Sequence, residues 1–212
     1  MSVRVFDDPE SVAGAAAAEV AEAVRGGART LVLAGGSTPT RAYQLLAEAP
    51  LEWGRVAILF GDERCVPASH PESNYLMARR ALLDRVAAGT VYRIPGELGA
   101  EAAAQLYGDV VARLSPLDLV LLGMGPDGHT ASLFPDHPAL QAEGFAAAVH
   151  NAPKPPPDRV SLTLGALRAA RQVLFLVTGG DKAEAFAQAQ RGEVPSGMIP
   201  GAAYLVDRAA AG

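Results

Sequence analysis

A run of four apolar residues at positions 119–122, LVLL, constrains the fold of this chain more than any other feature. So short a run without a polar residue is typical of a strand that is buried on both faces of a parallel sheet. The run ends at Gly123, and Gly125 and Gly128 then allow a backbone path that residues with a Cβ would resist. The pattern predicts a buried strand, a glycine turn and a short helix at 130–133.

Two ionisable residues, Asp127 and His129, stand two positions apart in that turn. A carboxylate at this spacing can orient the imidazole and fix its tautomer, as a general base requires. The alternative is that Asp127 caps the next helix and His129 is merely exposed. The spacing alone leaves both interpretations open.

The same three glycines, Gly123, Gly125 and Gly128, also fit the G-x-G-x-x-G pattern of dinucleotide sites. That pattern requires an acidic residue at the end of a second strand about 20 residues later. No residue in the sequence fits that role, so we set the nucleotide-binding interpretation aside.

Short apolar runs alternate with segments of helical periodicity through most of the chain. The predicted strands are 3–6, 31–33, 55–60, 91–94, 119–122, 145–149, 160–164, 173–178 and 204–206. The predicted helices are 9–25, 39–47, 73–87, 99–114, 165–170 and 181–190. This alternation favours an α/β fold, a single-domain three-layer α/β/α arrangement with a mostly parallel twisted sheet. A length of 212 residues also allows two small domains, but we favour one domain over 1–212.

Two other turns follow predicted strands. In the first, Gly35, Gly36, Ser37 and Thr38 precede a helix, so their N–H groups can form an anion cradle at the positive end of the helix dipole. Simple capping by Ser37 or Thr38 uses the same geometry and stays open. The second turn, 61–64, is GDER. All three turns follow carboxyl ends of strands, where ligands of open α/β sheets bind, and this favours a functional His129.

A loop at 151–158 holds the lone Lys154 among four prolines, Pro153, Pro155, Pro156 and Pro157. Proline fixes the backbone φ angle, so this loop is stiffer than most surface loops. A cation in such a loop is well positioned to meet a ligand.

Composition excludes several classes of function. A net charge of -5 without a Lys/Arg-rich run argues against a nucleic-acid surface. Cys65 is the only cysteine and no Cys/His cluster has zinc-ligand spacing, so we expect no metal. No apolar run approaches about 18 residues, and the first residues lack the apolar core of a signal peptide. We therefore expect a cytoplasmic protein without membrane contact. As a separate expectation, we take the protein to be a monomer.

Five stretches together resemble the 6-phosphogluconolactonases. They are LAGGSTP (33–39), GDERCVPASHPESNY (61–75), LGMGPDGHTASLFP (122–135), APKPPPDRVSLTL (152–164) and VTGGDKAEAF (177–186). Each is short, but their order and joint presence make the match specific. The resemblance implies hydrolysis of 6-phosphoglucono-1,5-lactone to 6-phosphogluconate in the pentose phosphate pathway, without a cofactor or a metal.

The resemblance also implies roles for individual residues. His129 matches the general base, and Asp62 matches a site carboxylate that positions His129 or the attacking water. Arg64 and Lys154 match the cations that hold the substrate phosphate, and residues 35–38 match part of the same pocket. Asp127 either orients His129 or caps the turn.

Two alternative functions come from other classes. The wider superfamily includes glucosamine-6-phosphate deaminases, and a phosphosugar-binding regulator could use the same cradle without a base. The deaminases carry a carboxylate five residues after the histidine, where this chain has Phe134. A regulator has no need of His129 beside Asp127. The residues therefore favour the lactonase, with Phe134 packed under the turn.

Overall fold

A computed structural model describes residues 1–212, and a seven-stranded parallel sheet organises them. In spatial order its strands are β1 (Ser2–Phe6), β10 (Ala203–Asp207), β9 (Gln172–Val177), β6 (Leu119–Gly123), β2 (Thr30–Leu33), β3 (Ala57–Phe60) and β5 (Thr90–Val91). Chain order changes direction between β6 and β2, where Leu31 pairs with Leu119. Residues 30–33 and 119–122 are buried throughout, as expected for central strands covered on both faces.

Helices flank this sheet. They are α1 (Pro9–Arg25), α2 (Ser37–Leu46), α3 (Asn74–Ala78), α4 (Ala100–Leu114), α5 (Leu164–Arg168), α6 (Ala183–Gln190) and α7 (Arg208–Ala211). The predicted three-layer fold with a mostly parallel sheet is confirmed, whereas the bounds 1–212 for the domain stay a prediction. None of the helices combines the length and the apolar character needed to cross a membrane.

Local sequence explains where α1 begins and ends. The carboxylate of Asp8 accepts a hydrogen bond from the backbone N–H of Ser11, and Pro9 occupies the first turn, where its missing N–H is not needed. Gly27 follows the helix with a φ of 103°, a left-handed conformation that glycine adopts at little cost.

Two buried tyrosines fix the sheet edge beside the predicted turns. The hydroxyl of Tyr43, on α2, donates to the carbonyl of Ala34 and accepts from its N–H. Tyr107, on α4, bonds Phe60 at the end of β3 in the same way. Because both hydroxyls are buried and fully paired, they hold two strand ends without leaving a polar group unsatisfied.

A second sheet was not predicted. It is antiparallel and contains β4 (Asp62–Arg64), β8 (Arg159–Leu162) and β7 (Ala146–Val149). The prediction that residues 61–64 form only a turn is therefore wrong. The strand is stable because the buried carboxylate of Glu63 accepts hydrogen bonds from three backbone N–H groups and the Ser73 hydroxyl. Three of these four donors lie 10 to 12 positions along the chain, beyond the reach of a local pattern.

Three other predicted elements differ. The helix at 73–87 is shorter, since α3 passes into a π-helical turn at Arg79–Leu83, and the strand at 91–94 is only Thr90–Val91. The helix at 130–133 is absent. There, Thr130 and Leu133 form an isolated antiparallel bridge, and Ala131 has a left-handed φ of 48° that a helix does not allow.

Candidate active site

A cavity of about 340 Å³ opens at the carboxyl ends of β2 and β6, where the chain order of the sheet changes direction. This is the place where open α/β sheets bind ligands. Six of the nine predicted site residues line it, and they are Gly35, Gly36, Asp62, Arg64, His129 and Lys154. A seventh, Asp127, contacts His129 from behind. The side chains of Ser37 and Thr38 lie outside the lining.

His129 and Asp127 form a hydrogen-bonded pair. The Nδ1 atom of His129 lies 2.5 Å from Oδ1 of Asp127, which also accepts from the His129 backbone N–H at 3.3 Å. A carboxylate at Nδ1 favours the tautomer with its proton on that nitrogen. Because no protein group bonds Nε2, its lone pair is available to a molecule in the cavity. Asp127 caps no helix, since none follows.

Burial controls the protonation of this pair. It lowers the pKa of His129 below its ordinary value of 6.5, and the contact with Asp127 offsets only part of that effect. Burial is the largest single influence on Asp127 and opposes its ionisation, but the hydrogen bonds and charge of His129, with the charge of Lys154, together outweigh it, so the pKa of Asp127 lies below its ordinary value. At neutral pH the structure therefore holds a neutral imidazole beside a carboxylate, which is the state of a base ready to accept a proton.

This arrangement predicts the pH dependence of any reaction that uses His129 as a base. Only the neutral imidazole accepts a proton, so kcat/KM should rise with pH through a midpoint below 6.5 and be level at neutral pH. Asp127→Asn removes the contact that raises the pKa of His129, so its midpoint should lie lower still, with a reduced plateau. Blank-corrected rates from about pH 5 to 8 test this, and a midpoint above 6.5 would contradict it.

Phe134 supports the pair from below. Its ring is buried, and the ring centroids of Phe134 and His129 are 4.6 Å apart. The guanidinium carbon of Arg159 lies 5.6 Å from the centre of the Phe134 ring. The predicted packing of Phe134 under the turn is confirmed. The Phe134 ring contacts both the imidazole of His129 and the guanidinium of Arg159.

Asp62 is buried at the floor of the cavity, but it does not bond His129. Its Oδ1 accepts from Nδ2 of Asn74 at 3.0 Å, and its Oδ2 accepts from the hydroxyl of Ser132 at 2.6 Å. Two donors fix the carboxylate, as a group that orients a small molecule requires. Of the two roles considered for Asp62, positioning of His129 lacks a direct contact here.

The cavity is positively charged in a chain whose net charge is -5. Four cationic side chains, Arg64, Lys154, Arg159 and Lys182, line it together with one carboxylate, that of Asp62. Lys182 pairs with Asp181, and Arg64 donates to the carbonyl of Glu72. Lys154 and Arg64 have no carboxylate partner, which leaves their charge for an anion.

The turn after β2 approaches the cavity through its backbone. Gly36 precedes α2 with a φ of 116°, and no side chain caps that helix. Capping by Ser37 or Thr38 is therefore wrong, because Ser37 is exposed and the Thr38 hydroxyl bonds Thr178 at 2.7 Å. The first N–H groups of α2 remain for an anion.

Sequence reasoning assigned no role to several residues of the lining, among them Asn74, Arg159, Lys182 and Ala131. The position of Asn74 explains why residue 35 is a glycine. A Cβ on Gly35 would lie 2.3 Å from Oδ1 of Asn74. Ser132 was also missed, although it holds Asp62. The structure assembles no group of three His, Cys, Asp or Glu residues suited to a metal ion.

Comparison with known proteins identifies the family. A model of the family described as glucosamine-6-phosphate isomerases/6-phosphogluconolactonase matches residues 7–209. The chain belongs to this family. A 6-phosphogluconolactonase of Streptomyces coelicolor is 40% identical over 98% of this chain and 92% of its own length.

Two solved structures share the fold of nearly the whole chain. The 6-phosphogluconolactonase of Trypanosoma brucei has a TM-score of 0.90 and 27% identity, covering 99% of this chain and 97% of its own. A monomeric glucosamine-6-phosphate deaminase has a TM-score of 0.88 at 20% identity, covering 100% of this chain and 99% of its own. The family fold is thus shared by both kinds of enzyme, and the site has to distinguish them.

Proposed function

We propose that this chain hydrolyses 6-phosphoglucono-1,5-lactone to 6-phosphogluconate, a step of the pentose phosphate pathway. One observation carries the proposal: a neutral histidine, oriented by a carboxylate, faces a cavity lined by four cations. The relatives named as 6-phosphogluconolactonases support it. A phosphorylated lactone offers both groups that such a site suits, an anion and an electrophilic carbonyl.

His129 acts as the general base. Its Nε2 takes a proton from a water molecule while the water oxygen attacks the lactone carbonyl carbon. Asp127 stabilises the imidazolium that forms, because its carboxylate already accepts the bond from Nδ1. The C–O bond of the ring then breaks, and the imidazolium returns the proton to the departing ring oxygen. Protein groups and water account for every step.

Asp62 orients the attacking water in this proposal. Both carboxylate oxygens are fixed by Asn74 and Ser132, and Asp62 lines the same cavity as His129. A water that donates to Asp62 and His129 keeps a lone pair for the carbonyl carbon. A non-catalytic regulator would need neither the oriented histidine nor the fixed carboxylate.

A direct assay separates the candidate functions. The purified chain is incubated with freshly prepared 6-phosphogluconolactone, with subtraction of the spontaneous rate, and with glucosamine 6-phosphate. We expect lactone hydrolysis and no release of ammonia, because buried Phe134 cannot relay protons during ring opening and isomerisation. Ammonia release at a rate comparable to lactone turnover would make the chain a deaminase, and turnover of neither substrate would favour a regulator.

Lys154 and Arg64 bind the phosphate in this proposal, so Lys154→Ala and Arg64→Ala should each raise KM. Charge-assisted contacts to an anion are worth roughly 1.5 to 3 kcal/mol, so the rise should be about one to two decades, with a smaller change in kcat. Steady-state kinetics measures both constants. The Arg113→Ala variant, which removes a cation of α4 from outside the cavity, is the matched control.

Non-phosphorylated gluconolactone tests the same assignment from the substrate side. It lacks the group that Lys154 and Arg64 bind, so both variants should hydrolyse it as the unsubstituted protein does. If the unsubstituted protein hydrolysed the two lactones with equal kcat/KM, phosphate recognition by these residues would be ruled out.

We also propose that the enzyme is a cytoplasmic monomer. One chain supplies the base, the fixed carboxylate and the four cations that the proposed reaction uses. Light scattering after size exclusion tests the mass, and fractionation of cells tests the compartment.

A further inference from the structure

Arg159 is a buried arginine at the start of β8, and it holds the backbone of the loop at 151–158. Only 4% of its surface is exposed. Its Nη2 donates to the carbonyls of Lys154 at 2.8 Å and Pro155 at 3.2 Å, and its Nε donates to the carbonyl of Pro156 at 3.0 Å. One guanidinium therefore bonds three successive carbonyls, and no carboxylate is among its partners.

The loop has few other anchors. Its prolines have no N–H group to donate, and within the loop a single backbone bond, from Ala152 N–H to the Pro157 carbonyl, closes the chain. At the C-terminal end of the loop, the carbonyl of Asp158 accepts a hydrogen bond from the N–H of Cys65, and the carboxylate of Asp158 bonds Nδ1 of His150. The segment that carries Lys154 is thus held mainly by Arg159.

The orientation of the guanidinium is itself fixed. Its carbon lies 5.6 Å from the centre of the Phe134 ring, and Phe134 packs on His129. The planar fork of an arginine presents its donors in fixed directions, whereas the ammonium of Lys154 is at the end of a flexible stem. Fixing the Lys154 backbone reduces the conformations that its ammonium loses when it meets an anion.

We propose that Arg159 is a positioning residue, which fixes the loop so that Lys154 meets the substrate phosphate. The inference rests on the proposed function, because it assigns the phosphate to Lys154. Arg159 also lines the cavity, so direct contact with the substrate is the competing explanation. The two explanations predict different results when Lys154 is removed.

Arg159→Lys keeps the charge and loses the fork. If the fork positions the loop, this variant should raise KM for the phosphorylated lactone about tenfold and change kcat less than about threefold. In the Lys154→Ala background the same substitution should leave KM unchanged, because the group that it positions is gone. In the Arg64→Ala background it should keep its full effect. An undiminished effect without Lys154, or a wild-type KM for Arg159→Lys, would overturn the proposal.

Amide hydrogen exchange tests the positioning without any activity. In the unsubstituted protein, Ala152 N–H should be protected by its bond to Pro157, and Arg159→Lys should speed its exchange while Leu121 in the core is unaffected. An unprotected Ala152 in the unsubstituted protein would overturn the proposal even if every Arg159 variant failed to fold. A protected loop in a protein without lactonase activity would instead reject the proposed function alone.

Discussion

His129→Ala should lower kcat by about 10²- to 10⁴-fold, the usual contribution of general acid–base catalysis. Affinity for 6-phosphogluconate should change little, because the cations that bind the phosphate stay in place. The two effects separate chemistry from binding, since a group that acts only in the transition state leaves the affinity for ground-state ligands unchanged. Blank-corrected kinetics measures the first effect and calorimetric titration with product measures the second.

The control for this variant is His70→Ala, which removes a half-buried histidine from outside the cavity and should keep the wild-type kcat. A wild-type kcat for His129→Ala would remove His129 from the mechanism. Equal losses in both variants would point to a general effect of lost histidines on stability, which the melting temperatures would reveal.

The sequence predicted the parts of the site that local chemistry determines. The turn after β6 joins Asp127 to His129 within three residues, so a local pattern contains the whole contact. The convergence of this turn with Gly35 was also predictable, because parallel strands place their carboxyl ends at one edge of a sheet. Both inferences depend on short-range geometry and on the direction of strands.

The contacts that were missed depend on the folded path of the backbone and not on a local sequence pattern. The sequence pattern places Asn74 at the start of a helix. In the structure its side-chain amide donates to the carboxylate of Asp62, because β4 brings the two residues together. Arg159 reads as the polar end of a strand, and its three carbonyl partners are known only once the loop is folded. The second sheet was missed for the same reason, since β4 has only three residues, all charged. Tertiary contacts override local propensity at such positions.

Gly125 has a role in the structure that the sequence did not predict. The turn pattern attributes its value to backbone freedom, but Gly125 is not among the glycines with a positive φ. A glycine is needed here because the side chains of His129 and Asp127 occupy the space that a Cβ would fill. A Cβ at this position would lie 2.0 Å from Nδ1 of His129 and 2.5 Å from Oδ1 of Asp127, at the point where the two side chains bond. Real Cβ atoms essentially never approach another heavy atom within 3.0 Å, so an alanine forces the ring away by about 1 Å.

Gly125→Ala should therefore lower kcat by about 10²-fold, since a displacement of about 1 Å of a catalytic group has an effect of that order. The melting temperature should change little, because alanine is compatible with the backbone and the ring moves into the open cavity. In the His129→Ala background the substitution should cause no further loss, because the side chain that it displaces is absent. Kinetics of the two single variants and the double variant tests this. A further large loss in the double variant would show that Gly125 serves the substrate directly, and a wild-type kcat for Gly125→Ala would mean that the contact between His129 and Asp127 does not limit the rate.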